Sequence, residues 1–229
     1  MTRPSDQLLP QALDRHRAGD LSGAEALYRT ILRSERTHFD ALRLLGLALH
    51  GQRRNAEAHT ALARALRVDP HSAMALSDLG LVLQALGRLD EAVATLDSAL
   101  AIKPDHADAY YNRGNVKLAL GRPAEALADY DAMLRLVPGF VPALNNKGLA
   151  LLHLDRPADA LPLIERAVAL RPDFVLAHVN RGAALLRLGR GAEAEASFDR
   201  ALRLAPGIAE AKAGQERARA MQRQAPPPA

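Results

Sequence analysis

Three asparagines recur at one interval: Asn112, Asn146 and Asn180 stand thirty-four residues apart. A carboxamide carries one acceptor and two donors, so each can pair with both the C=O and the N–H of a passing peptide backbone. Such contacts ignore side-chain identity and suit an extended segment of many sequences. Asn115 and Asn145 stand beside the series. The other reactive side chains form no productive pattern. Eight histidines are scattered from His16 to His178 without the HExxH or Glu-x-x-His spacing that sets metal ligands on one helix face. The glycines fall at turn and helix-crossing spacings rather than in a phosphate-cradling loop or a nucleophile elbow. Paired acids, Asp129 with Asp131 and Glu193 with Glu195, read as solvated helix faces. The chain has no cysteine, which excludes disulfides, thiol catalysis and thiolate metal sites. The residues therefore describe a non-enzyme, with no catalytic residue, no metal site and no cofactor.

The asparagine interval is that of the whole chain, most of which is the stretch 107–138 copied. Gly46, Gly80, Gly114, Gly148 and Gly182 share it, followed in each copy by an alanine (Ala58, Ala92, Ala126, Ala160, Ala194) and a closing proline (Pro70, Pro104, Pro138, Pro172, Pro206). Each copy reads as two antiparallel helices joined by a tight turn. In one, the first helix runs from about Ser72 to Leu86 and stops at Gly87, the residue type best able to take the left-handed conformation that ends a helix. Gly121 and Gly189 repeat the stop. The second helix opens on Pro123 with Glu125, Pro157 with Asp159, or Asp90 with Glu91. Proline is tolerated where the first amide has no intrahelical acceptor, and acids favour the positive end of the helix dipole. Leu127, Tyr130 and Leu134 give it an inward stripe. Gly114 and Ala126 let the two helices cross closely, near the lower end of the usual ~8 to 10 Å.

Composition agrees with an array. At 229 residues and 48% hydrophobic content the chain has apolar side chains for a core, but repeats bury their faces only against neighbours. Its 30 basic and 26 acidic residues are interleaved for a net charge of +4, which argues against nucleic acid as a partner. Charges interrupt the first twenty residues, as a secretory signal would not allow, and no stretch approaches the ~18 apolar residues of a membrane span. The expectation is a cytoplasmic protein that does not engage a membrane. Within 1–206 the helix pairs are placed at 5–38, 39–72, 73–106, 107–140, 141–174 and 175–206. The first is divergent, with Ala12 at the glycine position and Arg36 in place of the proline. Residues 207–224 read as one more helix covering the last pair, and 225–229 as a disordered proline-rich tail.

The period and the Gly, Ala and Pro offsets resemble the tetratricopeptide repeat family over roughly residues 5–206. The position usually given to Trp holds Leu42, Leu76, Tyr110, Leu144 and His178, and the second aromatic position holds Leu62, Leu96, Tyr130, Ile164 and Phe198. The resemblance implies an all-α fold, a right-handed superhelical solenoid of antiparallel helix pairs, acting as a scaffold that takes a protein or peptide ligand in a concave groove. The family pattern puts Asn112, Asn146 and Asn180, with Asp78, at the sixth position of their repeats, on the inner wall. It adds Asn115, Asn145, Tyr111, Leu149, Leu152, Leu176 and Val179 as groove neighbours. The column resembles the asparagine ladder of O-GlcNAc transferase. Three asparagines making two bonds each, at a net ~1 kcal/mol per bond, give about 6 kcal/mol. Micromolar affinity needs roughly 8 kcal/mol, so the apolar neighbours must add the rest, with Tyr111 as anchor. A carboxylate clamp of the co-chaperone kind does not fit. Asn115 and Asn146 occupy its asparagine places, but Tyr111, Leu176 and Asn180 stand where cations are needed.

The N-terminal part also looks like the opening of bacterial proteins in which such repeats precede a glycosyltransferase domain of O-GlcNAc transferase type. Two alternatives to the groove therefore stand. One is a self-assembling structural protein, a homo-oligomer joined through convex faces or repeat ends. The other is a recruiter of substrates for a separately encoded glycosyltransferase.

Overall fold

A helix pair cannot bury its apolar stripe alone, and the consequence is visible along the whole chain. The computed structural model describes residues 4–224, all helices and turns. The tail expected at 225–229 lies outside them. The helices are α1 (Pro4–Arg17), α2 (Leu21–Ser34), α3 (Phe39–Gly51), α4 (Asn55–Val68), α5 (Ala73–Ala85), α6 (Leu89–Ile102), α7 (Ala107–Ala119), α8 (Pro123–Leu136), α9 (Val141–His153), α10 (Pro157–Leu170), α11 (Val175–Arg187), α12 (Gly191–Leu204) and α13 (Ala209–Gln224). The fold class is an all-α solenoid. The chain divides into two compact units, residues 1–120 with α1–α7 and residues 121–229 with α8–α13.

In the first unit each helix packs on its successor, and α3, α5 and α7 also touch one another in order. The core there holds Tyr28, Leu42, Leu49 and Leu62, continuing through Leu96 and Val116. The second unit repeats the scheme around Leu144, Ile164, Leu185 and Phe198. There α13 packs on α12 and reaches α11, burying Ala211, Gly214 and Ala218.

Local chemistry sets the helix ends. Ser72 caps α5 by accepting from the Ala75 amide, and Gly87 follows the helix at φ +73°. Gly121 and Gly189 take the same left-handed conformation, at φ +70° and +74°. At the equivalent places Arg53 and Asp155 adopt φ 62° and 55°, so the turn imposes its geometry even on residues with a Cβ.

Helices α4, α6, α8, α10 and α12 are entered through Arg54, Arg88, Arg122, Arg156 and Arg190, none of which supplies a side-chain cap. Each guanidinium instead grips the carboxylate three residues on. Arg88 Nε and Nη2 donate to Glu91 at 2.8 and 2.6 Å, Arg190 makes the same fork to Glu193 at 2.6 Å, and Arg156 Nε reaches Asp159 at 2.7 Å. The acids at these starts thus serve an ion pair as well as the helix dipole.

The close approach expected of the repeat glycines is real, but its main neighbour is not the paired alanine. A Cβ at Gly80 would lie 2.5 Å from Leu96 Cγ, and one at Gly148 would lie 2.4 Å from Ile164 Cγ1. At Gly46 the Ala58 carbonyl oxygen comes third, at 3.3 Å, after two atoms of Leu62. The second-helix core residue, at the position often aromatic in the family, fills the space the glycine leaves. Gly80→Ala should therefore cost about 1–3 kcal/mol, because Leu96 is fully buried and cannot yield. Urea denaturation monitored by circular dichroism would measure it, and an unchanged midpoint would contradict this packing.

One polar knot ties α2 to α4. Glu25 accepts from Arg29 Nε at 2.8 Å, Arg54 Nη1 at 2.6 Å and Gln52 Nε2 at 2.9 Å. Burial alone would raise its pKa, but these three bonds outweigh burial and hold it below the usual glutamate value. A depressed folded pKa gives stability that is present above the unfolded value and lost as pH falls through the folded one. Glu25→Gln is thus expected to lose about 1–2 kcal/mol at neutral pH. Denaturation repeated at decreasing pH should show the gap to wild type closing below the ordinary glutamate value of 4.5.

Candidate partner-binding face

Counting from Phe39, Ala73, Ala107, Val141 and Val175, where the first helix of each pair begins, the fifth and sixth residues of successive pairs form a bonded series. Within the first unit Arg43 Nη1 donates to Asp78 Oδ2 at 2.8 Å, and Asn112 Nδ2 donates to Ser77 Oγ at 3.4 Å. Within the second, Asn180 Nδ2 donates to Asn145 Oδ1 at 2.9 Å. In all three the partners are thirty-five residues apart, a sixth-position residue bonded to a fifth-position residue of the preceding pair. Asn145 Nδ2 then donates to Asn146 Oδ1 at 3.0 Å. The structure thus brings Asn145, Asn146 and Asn180 into one chain of carboxamides.

Burial sorts the expected groove residues. Asn146, Asn180, Asn115, Tyr111, Leu149, Val179 and Asp78 are half-buried, and Leu176 is 54% exposed. Asn112 is 9% exposed and largely enclosed. Two expectations need correction. Asn145 is 1% exposed, and both ends of its amide bond other asparagines, so its side chain holds its neighbours in place rather than lining the open face. Leu152 is 3% exposed because Leu144, Leu151 and Leu152, spaced i, i+7 and i+8, share the stripe of α9 that faces the core. Its carbonyl accepts from Arg187 Nη1.

The first-unit face is more strongly charged than the asparagine pattern suggested. Burial raises the Asp78 pKa above its ordinary value, against the hydrogen bond and charge of Arg43 and the charge of His106, with Asp108 acting in the same direction as burial. Arg43 Nε and His106 Nε2 are buried and make no hydrogen bond among the described residues. The fifth-position Arg43 and Ser77 were missed in the sequence. Their signal was a polar residue thirty-five places before each polar sixth-position residue.

Of the paired acids Glu193 is solvated as expected, Asp131 and Glu195 are half-buried in ion pairs, and Asp129 is enclosed. Asp129 is 1% exposed on the buried side of α8. Asp131 accepts from Lys147 at 2.5 Å, and Glu195 accepts from Arg219 and Gln222, each at 2.7 Å. A second periodic series emerges here: Arg113 to Asp97, Lys147 to Asp131, Arg181 to Glu165 and Gln215 to Asp199, every pair sixteen residues apart. Each clips a first-type helix to the second helix of the pair before it. Among the described residues no group of three or more His, Cys, Asp or Glu could hold a metal ion. No described helix is long and apolar enough to cross a membrane.

Comparison with known proteins agrees with the repeat fold. A family model described as tetratricopeptide repeat matches residues 9–58, 50–107, 78–141 and 145–207. Among solved structures, a chain of the APC/C hetero-tetramer Cut9-Hcn1 superposes with TM-score 0.86 at 16% identity, over 92% of this chain and 42% of that one. PilW, a widely conserved type IV pilus biogenesis factor, gives TM-score 0.83 at 21% identity, over 93% and 99% of the two chains. YrrB, a TPR protein with an unusual peptide-binding site, gives 0.65 at 19% identity, over 82% and 97%. At these identities the likeness is one of fold. No curated protein sequence matches the chain.

Proposed function

Because the chain belongs to the tetratricopeptide repeat family, whose helical scaffolds typically mediate contacts between proteins, we propose that it holds an extended segment of a partner protein against the first-helix face of its pairs. The observation that carries this reading is the carboxamide chain from Asn180 through Asn145 to Asn146. Asn145 is buried and fixes the other two, so a ligand backbone meets amides already oriented, and less side-chain entropy is lost on binding. Asn180 Oδ1 accepts no bond among the described residues and is the acceptor offered to a backbone N–H. Leu176, Val179 and Leu149 stand on the same two helices as the apolar neighbours, with Leu176 most open. In the first unit Asn115, Tyr111 and Asp78, all half-buried, would be the contacts, with Asn112 largely enclosed beside them. YrrB, similar in fold, is a precedent for peptide binding on this scaffold.

The test is a random peptide library selected on the wild-type protein. The selected peptides are then titrated against Asn146→Ala and Asn180→Ala, with circular dichroism confirming equal folding. Each substitution should weaken binding about ten-fold, near 1.4 kcal/mol, the scale of one or two lost backbone bonds. Equal affinities for wild type and both variants would overturn the reading.

A further inference from the structure

The acidic side chains of α2 and α4 are spent on a few partners, and a cluster of arginines beside them is left over. Arg29 is bound by Glu25 at 2.8 Å and by Glu57 at 3.3 Å, and Arg54 takes the remaining oxygens of both acids. Arg33, Arg36, Arg64 and Arg67 make no ion pair among the described residues. Arg64 Nη2 donates only to the Arg36 carbonyl, at 3.2 Å. These four stand around two adjoining clefts between α2, α3 and α4 of the first unit, lined by neither Arg43 nor Leu44, with the paired Arg29 beside them. The clefts measure about 360 and 320 Å3, and Arg64 lines both. Their floors are apolar, formed by Leu42 in one and by Leu32 and Leu45 in the other, and Val68, 40% exposed, borders the first.

We propose that this surface is a second docking site, one that takes an acidic protein segment carrying alternating carboxylates and aliphatic side chains. Charge complementarity commits the site to that occupant. Four uncompensated guanidinium groups surround an aliphatic floor, and a guanidinium offers paired donors that match a carboxylate's two oxygens. Nucleic acid fits less well, because single strands bind by stacking bases on aromatic rings, and neither cleft is lined by one. The site lies on different helices from the asparagine face of the second unit and does not depend on it.

Fluorescence anisotropy tests the proposal with a labelled peptide of alternating Glu and Leu, a Lys–Leu counterpart and a single-stranded RNA oligonucleotide. The Glu–Leu peptide should bind, weaken with added salt, and lose at least about ten-fold in affinity to the variant Arg33→Gln, Arg36→Gln, Arg64→Gln, Arg67→Gln. Replacing the same four by Lys should lose less, which separates charge from any loss of fold. A second control, Arg166→Gln, Arg200→Gln, Arg203→Gln in the other unit, should bind as wild type does. Absence of binding, equal binding by the four-Gln variant, or tight binding of RNA in place of the acidic peptide would each overturn the proposal.

Discussion

Phe198→Ala is expected to be among the most damaging single changes in the second unit, at about 3–5 kcal/mol. The ring is 1% exposed and lies between two glycines on different helices. A Cβ at Gly182 on α11 would come 2.6 Å from its Cζ, and one at Gly214 on α13 would come 2.4 Å from the same atom. Both helices have given up a side chain to admit one ring, so truncation leaves a void that neither can fill without moving its backbone. Because arrays are stabilised by nearest-neighbour contacts, the loss should appear first in α13, which packs on α12 against this ring. Hydrogen exchange should show α13 opening ahead of α8–α10, along with a lower urea midpoint. Uniform protection across α8–α13 at an unchanged midpoint would contradict this.

The second large effect is expected at Arg43. Its ion pair with Asp78 leaves only 16% and 20% of the two side chains exposed. Removing one member of a buried pair leaves an uncompensated charge. Arg43→Leu should cost about 2–4 kcal/mol at neutral pH, the lower part of the range, because water still reaches the carboxylate. The double change Arg43→Leu, Asp78→Leu should recover most of that loss. The pH dependence carries a distinct sign. Burial raises the folded pKa of Asp78 above 3.8, so the folded state holds the proton more tightly. Stability from this group then falls as pH rises through the interval between the unfolded and folded values. Without Arg43 that interval widens upward, and mild acid should partly rescue Arg43→Leu but not the double variant. A rescue shared by both would place the effect elsewhere.

Helix starts and stops were legible in the sequence wherever one residue type can perform the task. The helix start near Ser72 and the stop at Gly87 were read from the sequence and hold, while the cap that Ser72 supplies emerges only from the structure. The same turn was unreadable at Arg53 and Asp155, because there the surrounding helices impose a left-handed conformation that the residue does not advertise. The second-helix position held by Leu96 and Phe198 was recognised as core, but that it fills the glycine's missing side chain follows only from the crossing of the helices. Of the candidate face, the asparagine column was visible as an interval. The bonds from Asn112 to Ser77 and from Asn180 to Asn145 were not, since they depend on how far one first-type helix slides past the next. Leu152 is buried for a different reason: its place in the repeat says groove, while the stripe it shares with Leu144 and Leu151 along α9 faces the core. The clips such as Arg181 to Glu165 join residues sixteen apart on different helices, a distance at which neither helix nor strand periodicity speaks.

The claim that a partner lies on the first-helix face is tested most directly by site-directed photocrosslinking with a library-selected peptide. A benzophenone amino acid is placed at Leu176 on α11, and separately at Ala169, exposed on α10. The account predicts a covalent adduct from position 176, displaced by excess unlabelled peptide, and none from position 169. An adduct from position 169 with none from 176 would contradict it.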